Sequence, residues 1–215
     1  MLSPQIPVAK EGYPFIGFMA FITLVFAALS YDVLVWPSLL LTGFVLSFFR
    51  DPERFTPVEE EVMVSPADGK VIIIETVTDD TFTGGQAYKV SIFMNVFNVH
   101  VNRTPLAGTV EKIIYRPGKF YAADSQRGAL QNEYCGTVLR TRSGQKIAFV
   151  QMAGLIARRI VCWLEPGDEV QKGRRFGLIR FGSRVDLYLP LDSEVLVHVG
   201  QKVRAGETPV ARVSG

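Results

Sequence analysis

At 215 residues the chain can build one well-filled core, or a core with a small appendage. A net charge of +2 and a sequence pI near 8.5 are too mild for a nucleic-acid binder, so no nucleic acid is expected among its partners. Its two cysteines, Cys135 and Cys162, show no Cys-x-x-Cys or Cys/His spacing; they imply neither a zinc site nor a disulfide framework and read as small buried hydrophobes.

The N-terminal fifty residues are of different material from the rest. Pro14–Ser30 and Val33–Phe49 are each 17 residues without a charge, parted by Tyr31-Asp32. At about 1.5 Å per residue each helix would reach roughly 26 Å, slightly less than the roughly 30 Å of a bilayer's hydrocarbon core. Lys10 precedes the pair, Arg50 and Arg54 follow it, and the turn between carries only Asp32. The positive-inside rule then predicts a membrane hairpin, spanning or embedded in one leaflet, with both ends on the cytoplasmic side. A pair of core helices and a signal peptide are the alternatives.

Residues 50–61 form a polar linker. Beyond it come short β-like runs broken by Gly and Pro: Gly69–Val77, Ala87–Phe93, Thr109–Tyr115, Gly136–Thr141, Lys146–Val150, Ile160–Leu164 and Arg175–Phe181. The expected fold is mainly β, a barrel/sandwich-hybrid-like domain over 50–215 preceded by the helical hairpin at 1–49. An internal repeat supports it: Gly167-x-x-Val170-x-x-Gly173 and Gly200-x-x-Val203-x-x-Gly206 each suggest two tight turns flanking a short strand, as in biotinyl and lipoyl folds.

Several polar positions within this domain invite chemistry. Asp68, in Ser65-Pro-Ala-Asp-Gly69, reads locally as a turn residue or as a carboxylate orienting a histidine. Of the two histidines, His100 sits in the polar cluster Phe97-Asn-Val-His-Val-Asn-Arg103, whereas His198 is expected to be structural, in an alternating strand over 194–199. Arg158 and Arg159 follow Gly154 and suggest either a solvated turn or a phosphate seat. Gly182-Ser183 lies between two β-like runs, where glycine would leave the serine hydroxyl room to turn on the preceding carbonyl.

Taken in order, Ser-Pro-Ala-Asp68-Gly, Phe-Asn-Val-His100-Val-Asn-Arg, Asn132-Glu133, Gly-x-x-Ala-Arg158-Arg159-Ile and Phe-Gly182-Ser183-Arg-Val-Asp resemble the short-chain bacterial phosphatidylserine decarboxylases, over Arg50 to about Leu189. That resemblance implies a proenzyme that cleaves itself between Gly182 and Ser183 into a β chain of residues 1–182 and an α chain of residues 183–215. Ser183 would become a covalent pyruvoyl cofactor, and the substrate amine would condense with it. His100 and Asp68 would be catalytic, Arg158 and Arg159 would bind the substrate, and no metal would be needed. The expected partners are membrane phosphatidylserine and the chain's own two fragments, and a homodimer is compatible with the pattern. Arg103 stands three residues after His100, so the His-x-x-His pattern of longer relatives is not repeated, and the base for self-cleavage stays open. Two other readings remain: a membrane-anchored adaptor without activity, and a pyruvoyl decarboxylase of a soluble amino acid.

Overall fold

The computed structural model describes residues 7–119, 121, 131–154, 159–180 and 183–214. It divides into two compact units, Met1–Glu53 and Arg54–Gly215.

In the first unit a short 3₁₀ turn, Lys10–Gly12, leads into α1 (Tyr13–Ala28), and α2 (Asp32–Phe48) returns beside it. The reversal is made by Ser30, whose φ of 57° is left-handed, with the Tyr31 amide reaching back to the Phe26 carbonyl over 2.9 Å. Few polar contacts join the helices; the Thr23 and Thr42 hydroxyls meet at 3.1 Å. Gly12 lies so close to the Phe49 ring that a Cβ there would strike it. Both helices are apolar all round and leave Phe18, Phe21, Leu24, Val33, Trp36 and Leu40 exposed, the pattern of a helix solvated by something other than water. Among the described residues, only the helical run Lys10–Ala28, 19 residues of mean hydropathy 1.5, is long and apolar enough to cross a membrane; α2 is shorter.

The second unit is built of β1 (Val62–Val64), β2 (Gly69–Asp79), β3 (Gly85–Met94), β4 (Val101–Arg103), β5 (Gly108–Arg116), β6 (Tyr134–Thr141), β7 (Lys146–Met152), β8 (Ile160–Cys162), β9 (Glu169–Val170), β10 (Arg175–Ile179), β11 (Ser183–Leu189), β12 (Glu194–Val195), β13 (Lys202–Val203) and β14 (Pro209–Arg212). Its main sheet has the order β13-β2-β3-β11-β7-β6-β5-β9, with small sheets β1-β14-β12 and β4-β10-β8 completing it. All pairs between these strands are antiparallel, and the isolated bridge Lys119–Asn132 is parallel. Val71, Ile92, Leu139, Phe149, Val185 and Leu187 belong to one core with Phe176 and Ile179 of β10. This is the mainly β domain behind an apolar helical pair that the sequence predicts.

The glycine repeat has a structural meaning. All four glycines take positive φ, 96° and 77° at Gly167 and Gly173, 95° and 75° at Gly200 and Gly206, which an L side chain adopts only under strain. The strands they bracket, β9 and β13, occupy opposite edges of the main sheet. A second repeat, missed in the sequence, receives them: Ser65-Pro-Ala-Asp-Gly69 and Thr104-Pro-Leu-Ala-Gly108. The Gly206 amide donates to the Ser65 carbonyl and the Gly173 amide to the Thr104 carbonyl, both at 2.8 Å. Likewise the Gly200 and Gly167 amides donate to Val71 and Val110, each at 2.8 Å. The domain therefore has two matching halves. Where the first half carries Asp68, the second carries Ala107.

Candidate active site

Ser183 is the first residue of β11, the central strand of the main sheet, and it is fully buried. It lies opposite Met94 of β3, and its hydroxyl points at the Met94 sulfur over 3.4 Å. A thioether is a weak acceptor and holds the hydroxyl loosely. Gly182, Phe181 and Arg158 lie outside the described residues, so the structure places the site from Ser183 outward.

The residues leading to Ser183 gather two of the motifs. At the end of β10 the Ile179 amide donates to the His100 carbonyl at 3.4 Å, and the Arg180 amide donates to the Arg159 carbonyl at 3.2 Å. The His100 motif and the Arg159 segment thus flank the approach to Ser183. Arg159 is solvent-exposed. His100 is 2 % exposed. Its Nδ1–H donates to the Asn98 carbonyl over 2.9 Å, so the neutral ring carries its lone pair on Nε2.

Asn102 ties this region together. Its Nδ2 reaches the Met94 sulfur at 3.7 Å and the Pro66 carbonyl at 3.4 Å, while its Oδ1 accepts from Gln151 Nε2 at 2.9 Å. Pro66 also accepts the Arg103 amide at 2.9 Å, which docks the Ser-Pro-Ala-Asp-Gly motif onto the His100 motif. Asp68 itself is held elsewhere: Oδ2 pairs with Arg54 Nη2 at 2.8 Å, and Oδ1 accepts the Ala205 amide at 2.7 Å. Arg54 continues to Glu207 at 3.2 Å. The Asp68-Gly69 dipeptide opens β2 rather than a solvent turn, because a Cβ at Gly69 would collide with the Phe93 carbonyl.

The Asn132-Glu133 motif acts on the far flank. Asn132 Nδ2 donates to the carbonyls of Tyr121 and Ala153 at 2.8 and 2.7 Å, and the Ala153 amide donates to the Glu133 carbonyl at 2.9 Å. These bonds fix the point from which the Gly154–Arg159 segment departs. Arg103 is occupied structurally: its Nη1 donates to the Gly173 carbonyl at 3.0 Å. Met94 and Gln151 went unnoticed in the sequence, since a methionine and a glutamine in strands give no motif, and Arg54 reads there only as a cation flanking the apolar pair.

Two sequence expectations need correction. His198 is not in a strand: β12 ends at Val195, and the exposed His198 belongs to a turn in which its amide donates to Gln201 Oε1 at 3.1 Å and its carbonyl accepts from Gln201. The cysteines are not two unrelated hydrophobes. Cys135 of β6 is buried and lies near Cys162 of β8, which is only half-buried. Interaction with Cys135, helped by the Leu164 amide and Thr137, pulls the Cys162 thiol down to about 7, while the Cys135 thiol is pushed up. Among the described residues no cluster of His, Cys, Asp and Glu could hold a metal ion. A cleft of about 360 Å³ lined by Val58, Leu106, Arg142 and Lys172 contains none of these site residues.

The family model for phosphatidylserine decarboxylase matches residues 41–211. A phosphatidylserine decarboxylase proenzyme of Desulfotalea psychrophila is 65% identical over 213 residues, covering 99% of this chain and 100% of that one. The proenzyme of Nitratidesulfovibrio vulgaris is 52% identical over 100% of this chain and 98% of its own, and that of Geotalea uraniireducens is 49% identical over 97% of each. Matched by that family model over most of its length and sharing nearly its full length with such relatives, the chain belongs to the phosphatidylserine decarboxylase family of carboxy-lyases.

Proposed function

We propose that the protein decarboxylates phosphatidylserine to phosphatidylethanolamine and CO₂ after cleaving itself between Gly182 and Ser183. The observation that carries this reading is the place of Ser183, buried at the start of the central strand with its hydroxyl against the Met94 thioether. In self-cleavage the Ser183 Oγ attacks the Gly182 carbonyl carbon, and the peptide C–N bond gives way to an ester. Loss of the Cα proton and of the Gly182 carboxylate leaves a dehydroalanine, which takes up water and releases ammonia to leave a ketone. The site suits such a group: the fragment from 183 onward stays in the sheet without its covalent link, β11 between β3 and β7, β13 on β2 and β14 on β1. The pyruvoyl group supplies an electron sink for the pair left on Cα when CO₂ departs.

The chain's own residues do the rest. His100, its Nδ1–H held by the Asn98 carbonyl, takes on Nε2 the proton that the substrate ammonium loses in order to condense, and gives it to Cα after CO₂ departs. Asp68 supports self-cleavage from a distance by fixing Arg54 and the Ala205 turn, and through its motif the Pro66 carbonyl that steadies Asn102 against Met94. Arg159 with Arg158 seats the substrate phosphate, for which a guanidinium fork is suited. The apolar helices of the first unit hold the enzyme at the membrane where its substrate resides, with both ends cytoplasmic. A denaturing gel with intact masses tests the core of the proposal: two fragments, the smaller beginning with a ketone-blocked residue 183, and a single full-length band for Ser183→Ala. An active, uncleaved wild-type chain would overturn it.

A further inference from the structure

Immediately beyond Ser183, β11 carries a buried ion pair that the chemistry above does not use. Arg184 and Asp186, two residues apart, point to the same face of the strand. Arg184 Nε meets Asp186 Oδ1 at 2.8 Å, and Nη2 meets Oδ2 at 2.9 Å, with both side chains 1% exposed. The same Nη2 contacts the Met152 sulfur of β7 at 3.1 Å. On the opposite face Val185, Leu187 and Leu189 enter the core. The pair is flanked by strands on both sides, Arg184 opposite Phe93 and Met152, Asp186 opposite Ser91 and Val150.

Stability is a poor reason for such a pair. Removing two charges from water costs about as much as their attraction returns, and apolar replacements of similar volume are often neutral or stabilising. Geometry is a better one. A guanidinium that meets both oxygens of a carboxylate, one through a hydrogen bond and one as a close ion contact, restricts the rotamers of both residues, and the Met152 contact joins that grip to the neighbouring strand.

The need for this follows from the proposed cleavage, on which the inference rests. Once the bond before Ser183 is broken, residue 183 is a chain end, and chain ends fray unless tied down. Yet its carbonyl must stay in place, because a displacement of about 1 Å from reacting geometry costs on the order of 10²-fold in rate. We infer that the Arg184–Asp186 pair is a positioning device that holds the new N-terminus of the α chain in register within β11 after cleavage. Neither residue touches the substrate; both act through residue 183.

The test compares Arg184→Met/Asp186→Leu and Arg184→Lys with wild type, each also on a Ser183→Ala background that cannot cleave. Gels and intact mass report cleavage, amide hydrogen exchange reports residues 184–187, and phosphatidylserine in mixed micelles gives kcat and KM for the cleaved fraction. The double variant is expected to melt near wild type and to cleave. In its cleaved form, exchange at 184–187 rises about tenfold or more and kcat falls about 10- to 100-fold, with KM within about twofold. Its uncleaved counterpart exchanges like uncleaved wild type. Arg184→Lys, which keeps the charge but cannot reach both carboxylate oxygens and the Met152 sulfur at once, falls between. Wild-type exchange and kcat in the cleaved double variant would overturn the inference, as would equal loosening of cleaved and uncleaved forms. Should the double variant not fold, unchanged exchange and kcat in cleaved Arg184→Lys would overturn it equally. A wild-type chain active without cleavage would instead overturn the cleavage reading, and that is visible before any variant is compared.

Discussion

Asp68 accepts the Ala205 amide over 2.7 Å, a bond that joins what the proposed cleavage would make two separate chains. The same carboxylate holds Arg54, whose side chain is 8% exposed. Asp68→Ala would therefore leave a buried guanidinium with Glu207 as its remaining carboxylate partner and an amide without its acceptor. The expected loss is about 2–4 kcal/mol, a fall of roughly 5–15 °C in melting temperature for a chain of this size. Calorimetry on the uncleaved Ser183→Ala background isolates this from any effect on cleavage, and an unchanged melting temperature would refute the structural role.

The sequence made the architecture legible where a residue type has one physical use. The paired glycines announced positive φ, and two charge-free runs announced helices solvated by something apolar. It hid whatever depends on contacts between distant residues. Gly69 reads as half of a turn and proves to be a close approach to Phe93. β4 lay concealed in the polar motif around His100, because Asn102 and Arg103 are buried by hydrogen bonds rather than by hydrophobicity. The duplication of Ser65–Gly69 in Thr104–Gly108 rests on carbonyls, which any residue supplies. Comparing those halves makes Asp68 conspicuous, since the shared scaffold at Ala107 manages without a carboxylate.

Cys162 should be the reactive thiol. Interaction with Cys135 favours the thiolate and lowers its pKa from near 9 to about 7. Iodoacetamide should modify Cys162 alone, with a rate that rises through about pH 7 and levels off above it, because Cys135 is buried and stays protonated. A depressed folded-state pKa contributes stability above the unfolded value that is lost as pH falls through the folded one, so this contribution fades between about pH 9 and pH 7. Mass spectrometry of the labelled protein checks it, and labelling of Cys135 first would contradict the assignment.

The exposed Arg159 offers a separate test of substrate binding. Lysine keeps the charge but loses the bidentate fork, so Arg159→Lys should raise KM several-fold and leave the extent of cleavage as in wild type. Equal loss of cleavage and of KM would make the side chain structural, consistent with no more than its backbone bond to Arg180.

Removing residues 1–49 should move the enzyme from the membrane pellet to the soluble fraction, because the large exposed apolar side chains of α1 and α2 go with them. Protease added to sealed right-side-out cells should leave residues 1–10 intact if both ends are cytoplasmic. Cleavage there from outside would reverse the orientation.

His100 is expected to act in decarboxylation, and its structural setting makes the test clean. The ring is buried and oriented by the Asn98 carbonyl, and the main-chain bond from Ile179 to the His100 carbonyl does not depend on the side chain. His100→Ala should therefore preserve the β4-β10 pairing while removing the proton donor. Loss of a general acid typically costs 10²–10⁴ in rate, so kcat of the cleaved fraction should fall by about that factor while KM changes little. Self-cleavage is followed separately over hours, by gel, in the same preparation. If it survives, the Ser183 hydroxyl is deprotonated without the ring; if it stops as well, His100 serves both steps. A fully cleaved and fully active His100→Ala enzyme would remove His100 from the mechanism, and the proton would have to come from another group near the start of β11.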